Sequence, residues 1–387
     1  MRGRARDDLA LALGLAMGIA VVVGFGFAAQ RESLSHANDF SAMWTGARSV
    51  LDGRDPYDPA LWPDTMARYG TQRTHEDFFG YPPWVALALL PFGALPVGLA
   101  ALAWSATGIA AAALGLRALL HVATPGLPAV HTLAGFTLLA SQPGIATFWD
   151  GQWGFVLAGA VAVAVSGVMA RRPRRLLAGT LMLAKPQLFV FAAWALVDAL
   201  RARGDRAGLA WLVGGGAAVA LAASLALPRW YGDWASGAFF GRIAGERAPT
   251  TLAAAATDLA GPAGAAIAAV AVLVVVAVAL AFDRRSYASL AVWLALSSAA
   301  TIYTWSYDHV LLVVPLIVAT GVLARRGPGP ALAFGAAGFA FLLLVPTALY
   351  VIADARENES FSAVVPACVL VGCALALWPC RGDTAAT

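Results

Sequence analysis

The chain has 387 residues, 60% of them hydrophobic and 12% charged, with a mean hydropathy of +0.73. Too little polar surface remains to coat a soluble globule of that size, so the composition excludes a soluble domain and defines a polytopic inner-membrane protein whose immediate partner is the lipid bilayer. The net charge of +4 is carried by short basic clusters between apolar runs and not along one polar face, which argues against nucleic acid as a partner.

Apolar runs of about 17 to 25 residues, each long enough to cross a ~30 Å hydrocarbon core as a helix, recur from end to end. The expected fold is all-α, with about 11–13 hydrophobic segments in one integral-membrane domain over residues 1–387. The first run, 9–29, follows Arg2, Arg4 and Arg6 like a signal peptide, but it is long for one and has no convincing cleavage site, so it reads as a retained helix. After it comes SHANDFSAMWTGARSVLDGRDPYDP, residues 35–58. Here Phe40, Met43, Trp44, Ala47, Val50 and Leu51 recur at helical spacing, with Ser41, Thr45, Arg48 and Asp52 on the other face. This predicts an interfacial amphipathic helix that begins after Asn38-Asp39 and stops at Gly53, inside a first extracytoplasmic loop over 30–81. Asp39 then has two readings, an N-cap carboxylate or a reactive carboxylate held at the membrane surface.

Residues 81–120 read as a short helix opening on Pro82-Pro83, a turn at Leu95-Pro96 and a full span. Further segments lie near 130–148, 153–170, 207–227, 262–282, 287–303, 309–324, 330–350 and 361–379. If the N-terminus is cytoplasmic, so should be RRPRR (171–175), RARGDR (201–206), DRR (283–285) and RR (325–326). Between the first two lies one apolar stretch, 176–200, and a single crossing would put them on opposite sides. A hairpin with its apex at Lys185-Pro186 reconciles them, because Pro186 removes a donor and restricts its neighbour, and broken backbone is tolerated at depth inside protein or beside a wet cavity. Both termini then come out cytoplasmic. Cys368, Cys373 and Cys380 show no metal or disulfide spacing.

The unusual chemistry collects on the outer side: the loop over 30–81, the WDGQWG turn (149–154), the region from PRWYGDW (228–234) to about 260, YTWSYDH (303–309) and ADARENES (353–360). Lys185 is the chain's single lysine and sits in an apolar segment, where an ionised group faces a cavity and a partner or else snorkels. A compact ammonium at an outward apex suits a phosphate. Gln152 could hydrogen-bond a polyhydroxylated ligand or cap a helix, and Asp308 could be a ligand group or an acid at a helix N-terminus. Tyr307 and His309 flank Asp308, and the tryptophans on this side suit sugar rings as well as a membrane interface.

The ordered series Asn38-Asp39-Phe40, Gly53-Arg54-Asp55-Pro56-Tyr57, Tyr81-Pro82-Pro83, Trp149-Asp150-Gly151-Gln152, Lys185-Pro186 and Trp305-Ser306-Tyr307-Asp308-His309 resembles glycosyltransferase family 87 over roughly residues 30–320. The resemblance implies a C-type membrane glycosyltransferase with catalytic-module spans over 82–327 and C-terminal spans over 328–387. It implies inverting transfer of a hexose, typically mannose, from a polyprenyl-phosphate-linked donor to a glycolipid or glycan hydroxyl at the outer face. Such a reaction needs a base for the acceptor and charge stabilisation for the departing phosphate. Asp39 is the expected base and Lys185 the expected phosphate partner. His309, Gln152, Tyr81, Tyr307 and Asp308 are the further substrate- or phosphate-binding residues, with no cofactor and no metal. A secondary transporter or lipid-carrier flippase is the alternative for a chain with broken helices and an intramembrane lysine, although no repeat is visible in its two halves.

Overall fold

The computed structural model describes residues 2–29, 39–58, 60–71, 79–229, 232, 234, 250–354 and 358–382, and among these every regular element is a helix. Helices α1 (Arg2–Ala28) and α2 (Asp39–Leu51) are followed by three short ones, α3 (Trp62–Arg68), α4 (Pro83–Ala88) and α5 (Leu90–Gly93). Then come α6 (Val97–Ala123), α7 (Pro128–Ala140), α8 (Gln142–Trp149) and α9 (Gly154–Met169). A 3-10 segment over Pro173–Ala184 and a second over Pro186–Leu188 lead into α10 (Val190–Ala202) and α11 (Arg206–Ala226). The remainder is α12 (Leu252–Ala260), α13 (Ala263–Leu280), α14 (Tyr287–Ala299), a 3-10 turn over Ser306–Leu312, α15 (Val313–Ala324), α16 (Pro328–Asp354) and α17 (Val364–Leu377).

Seven described helical stretches are long and apolar enough to cross a membrane: Gly3–Ala28, Val97–Ala123, Arg206–Ala226, Ala263–Leu280, Ser306–Ala324, Pro328–Ala353 and Ser360–Cys380. The pair α8 and α9, bent by 117°, makes an eighth if taken as one broken span. The expected 11–13 segments therefore divide into these spans and shorter apolar pieces such as α7 and α14. The expected single segment over 130–148 is broken at Ser141, whose hydroxyl caps α8 by accepting from the Gly144 N–H at 3.3 Å. Burial separates centre from rim: 89% of the apolar window of Ser306–Ala324 is buried, against 11% for Arg206–Ala226, so α11 faces lipid and α15 does not.

Small residues let the central helices touch. A Cβ on Gly115 of α6 would lie 2.2 Å from the Gly159 carbonyl of α9, and one on Gly14 of α1 would lie 2.1 Å from the Thr132 carbonyl of α7. In lipid, where apolar burial drives association weakly, such close backbone packing is a main source of cohesion.

The predicted hairpin is present. Its outgoing arm is 3-10 and its return is α10, with Lys185 between. Both arms start and finish at one end of the molecule, where the basic clusters meet: Arg203 donates to the Arg285 carbonyl at 2.7 Å, Tyr287 donates to the Met169 carbonyl at 3.1 Å, and the Arg203 and Arg325 guanidinium groups lie 4.5 and 4.8 Å from the Tyr287 ring centroid. The start of α1 belongs to the same end, because Asp7 accepts from the Gly126 N–H and Gly321 abuts Ala123.

The reading of α2 as a helix with one wet face is corrected. Phe40, Met43, Trp44 and Ala47 are buried as expected, but so are Ser41, Thr45 and Ser49, whereas Leu51 of the predicted apolar face is 46% exposed. Hydroxyl groups make this possible. Thr45 shares a 2.6 Å hydrogen bond with Thr71, and Ser49 donates to the Thr45 carbonyl, so these hydroxyls are satisfied by protein, while Arg48 and Asp52 stay partly exposed as an ion pair at 3.4 Å.

Candidate active site

Two polar pairs stand at the end of the molecule opposite the basic clusters. The first joins α2 to the turn between α8 and α9. The Phe40 N–H donates to the Asp150 carbonyl at 3.1 Å, and Gln152 Nε2 donates to Asp39 Oδ2. A carboxylate only accepts, which fixes the amide with its nitrogen toward Asp39 and its oxygen away. That Gln152 Oε1 is buried and has no partner among the described residues. The turn can approach α2 because Gly151 has φ +66° and because a Cβ there would lie 2.5 Å from Phe40 Cβ. Trp104 of α6 secures it by donating to the Gly151 carbonyl at 2.8 Å, and Trp153 packs edge-on against Trp104.

The second pair joins the hairpin apex to the start of the α15 span. Lys185 Nζ donates to Asp308 Oδ1 at 2.7 Å, with the residues only 6% and 4% exposed. Asp308 Oδ2 accepts from the Trp305 N–H at 3.3 Å and from Thr304 Oγ1 at 3.4 Å, so both its oxygens are occupied. Desolvating two charges costs several kcal/mol per ion, and only such a surround offsets it. Lys185 Nζ also lies 4.6 Å from the Tyr307 ring centroid. One of its three donors goes to Asp308, which leaves capacity for a ligand.

Tyr307 connects the pairs. Thr147 of α8 makes the link: its hydroxyl donates to the Tyr307 carbonyl at 3.0 Å, and its own carbonyl accepts from the Gln152 N–H at 2.9 Å. Asp39, Gln152, Lys185, Asp308 and Tyr307, five of the seven expected site residues, are thus linked, and Tyr81 stands just before α4, whose Trp84 reaches the chain two residues before Lys185. His309 is next in the chain and buried, and neither ring nitrogen has a partner among the described residues. Tyr81 is placed through its backbone: Tyr57 donates to the Tyr81 carbonyl at 2.5 Å, and burial holds the Tyr57 phenol above its ordinary pKa, so that it remains a neutral donor.

Several residues that fix the apex were not singled out from the sequence. Trp84 of α4 donates to the Leu183 carbonyl at 2.7 Å, Ser297 of α14 donates to the Leu188 carbonyl at 2.7 Å and accepts from the Ala192 N–H at 3.1 Å, and Thr301 donates to the Gln187 carbonyl at 3.0 Å. Ser297 lies in the last turn of α14 and Thr301 two residues beyond its end, polar residues where a mostly apolar helix runs out.

An ammonium, two carboxylates, an amide oxygen without a partner among the described residues and several aromatic rings are thus gathered at one end of a helical membrane protein. Residues 78–304, more than half the chain, match Glycosyltransferase family 87, and the chain belongs to that family, which makes it a membrane glycosyltransferase. No curated protein matches it. The matched range is narrower than the expected 30–320: Tyr81, Gln152 and Lys185 lie inside it, whereas Asp39 lies before it and Tyr307, Asp308 and His309 just beyond. Family membership favours glycosyl transfer over the transporter reading.

Proposed function

We propose that the enzyme transfers a hexose, mannose being the expected sugar, from a polyprenyl-phosphate-linked donor to a hydroxyl of a glycolipid or glycan, with inversion at the anomeric carbon. The observation that carries this reading is the meeting of the Asp39–Gln152 and Lys185–Asp308 pairs at Tyr307, whose carbonyl is held by Thr147 before the Gln152 turn and whose ring lies 4.6 Å from Lys185 Nζ. Asp39 Oδ would accept the acceptor's proton as the hydroxyl oxygen attacks, while the anomeric carbon–oxygen bond breaks and the electron pair leaves with the lipid phosphate. Lys185, held beside Asp308, would stabilise that phosphate. The unpartnered Gln152 Oε1 would receive a hydroxyl of the bound sugar or acceptor, and His309 would help hold the phosphate or sugar. The reaction so written needs no metal, and activity is expected to persist in EDTA.

The decisive experiment incubates membranes containing the protein with labelled polyprenyl-phosphate mannose and a panel of lipid acceptors. A labelled glycolipid with release of polyprenyl phosphate supports the reading; no product with any hexosyl donor ends it.

The same reading puts the enzyme in the cell (inner) membrane, with the basic end and both termini cytoplasmic and the site extracytoplasmic. In a Cys368→Ala background, Asp64→Cys, exposed on α3, should react with an impermeant thiol reagent from outside, and Ala207→Cys at the start of α11 should not. Labelling of both from one side reverses the assignment.

A further inference from the structure

At the basic end, the last turn of α10, the connection from α13 to α14 and the chain beyond α17 border a wide-open cavity of about 620 Å³. Arg284, Arg285 and Arg381 line it together with Asp283. The local carboxylates do not balance these guanidinium groups. Asp283 Oδ1 accepts from the Arg285 backbone N–H, and Asp198 stands 3.6 Å from Arg284. Arg285 spends Nε on the Ala202 carbonyl, and Arg381 spends Nη1 on the Trp378 carbonyl while stacking 4.7 Å over that ring. Each guanidinium has five donors, so most of this capacity is unused. Behind the wall, Arg203 has a buried Nη1 with no partner among the described residues and lies within reach of Arg171 and Arg325, which adds like charge.

We propose that this cavity binds the phosphate headgroup of an anionic lipid from the leaflet at the basic end. The flanks choose a lipid over a free anion. Leu280 and Trp378 beside the cavity are 60% and 41% exposed, and Leu273 and Val274 continue an exposed apolar track up α13, so an acyl chain would run along the helix while the phosphate sits among the arginines. Clustered arginines between membrane helices suit that ligand, with tryptophan at headgroup level.

The test measures the unfolding temperature of delipidated protein in detergent after addition of phosphatidylglycerol, phosphatidylcholine or inorganic phosphate. Phosphatidylglycerol should raise it by a few degrees, and the other two should not. Arg284→Gln/Arg381→Gln should abolish the rise and, by native mass spectrometry, lose one retained phosphatidylglycerol. Should the double variant fail to fold, Arg284→Gln alone serves, because its side chain is 68% exposed and its ion pair with Asp198 is long, at 3.6 Å. An undiminished rise in the variant, or an equal rise with phosphatidylcholine, overturns the proposal. An equal rise with inorganic phosphate assigns the cavity to free anions instead and overturns the lipid.

Discussion

At one end of the molecule an ammonium and a carboxylate are closed on each other out of water, and an amide nitrogen is closed on a second carboxylate. At the other end arginines crowd a tyrosine ring and a cavity wall with fewer carboxylates than guanidinium groups. The two arrangements answer different physics. In a low-dielectric interior an unmatched charge is prohibitive, so the site keeps its ions paired and offers a ligand only the capacity that pairing leaves over. At a wet, screened membrane surface excess positive charge is tolerable and sets orientation. Breaking the buried ion pair at the first end should therefore act on chemistry and folding together, whereas removing arginines at the second should act on lipid and topology.

The largest expected effect is chemical. Asp39→Asn retains an oxygen that can accept from Gln152 and caps a helix about as well as aspartate, but it cannot take a proton. Turnover should fall by about 10²- to 10⁴-fold, or roughly 3–5.5 kcal/mol of barrier, with expression and unfolding temperature unchanged. Near wild-type turnover, measured where chemistry limits the rate, would leave Asp39 as a cap only.

Next is the buried pair. Lys185→Met alone strands Asp308, and Asp308→Asn alone strands Lys185; each should cost about 3–5 kcal/mol of stability. Lys185→Met/Asp308→Asn removes both charges and should recover most of that loss while activity stays absent. A double-mutant cycle in unfolding free energy checks the first part and donor turnover the second. Recovery of turnover along with stability would show that the lysine serves folding and not phosphate.

Much of this was legible in the residues, and what was missed has physical causes. The hairpin followed from two basic clusters that one crossing would separate and from the proline after Lys185. The partner of Lys185 did not follow, because Asp308 lies 123 positions away and no periodicity links a hairpin apex to the start of a distant span. The burial of the hydroxyl-bearing face of α2 was hidden for a related reason: Ser41, Thr45 and Ser49 look wet until a distant hydroxyl such as Thr71 is known to cover them. The break at Ser141 was readable, since Ser141 followed by Pro143 and Gly144 is a helix-start signal inside an apolar run.

The smallest effect compares like with like at the two ends. Ser297→Ala removes one hydroxyl that both donates to the Leu188 carbonyl and accepts from Ala192, an N–H in the first turn of α10 that has no helical partner of its own. Tyr287→Phe removes one hydroxyl that donates to the Met169 carbonyl at the basic end. Stability should fall in both, by about 1–3 kcal/mol in the first, where two buried groups are stranded, and about 0.5–1.5 kcal/mol in the second. Activity should separate them. Losing the brace three residues past Lys185 should loosen the apex and raise the donor KM several-fold, with Ser297→Thr, which restores the hydroxyl, bringing it back toward wild type. Tyr287→Phe should leave KM and kcat where they were. If both variants lose activity only in proportion to folded protein, Ser297 holds helices together and does not position the lysine.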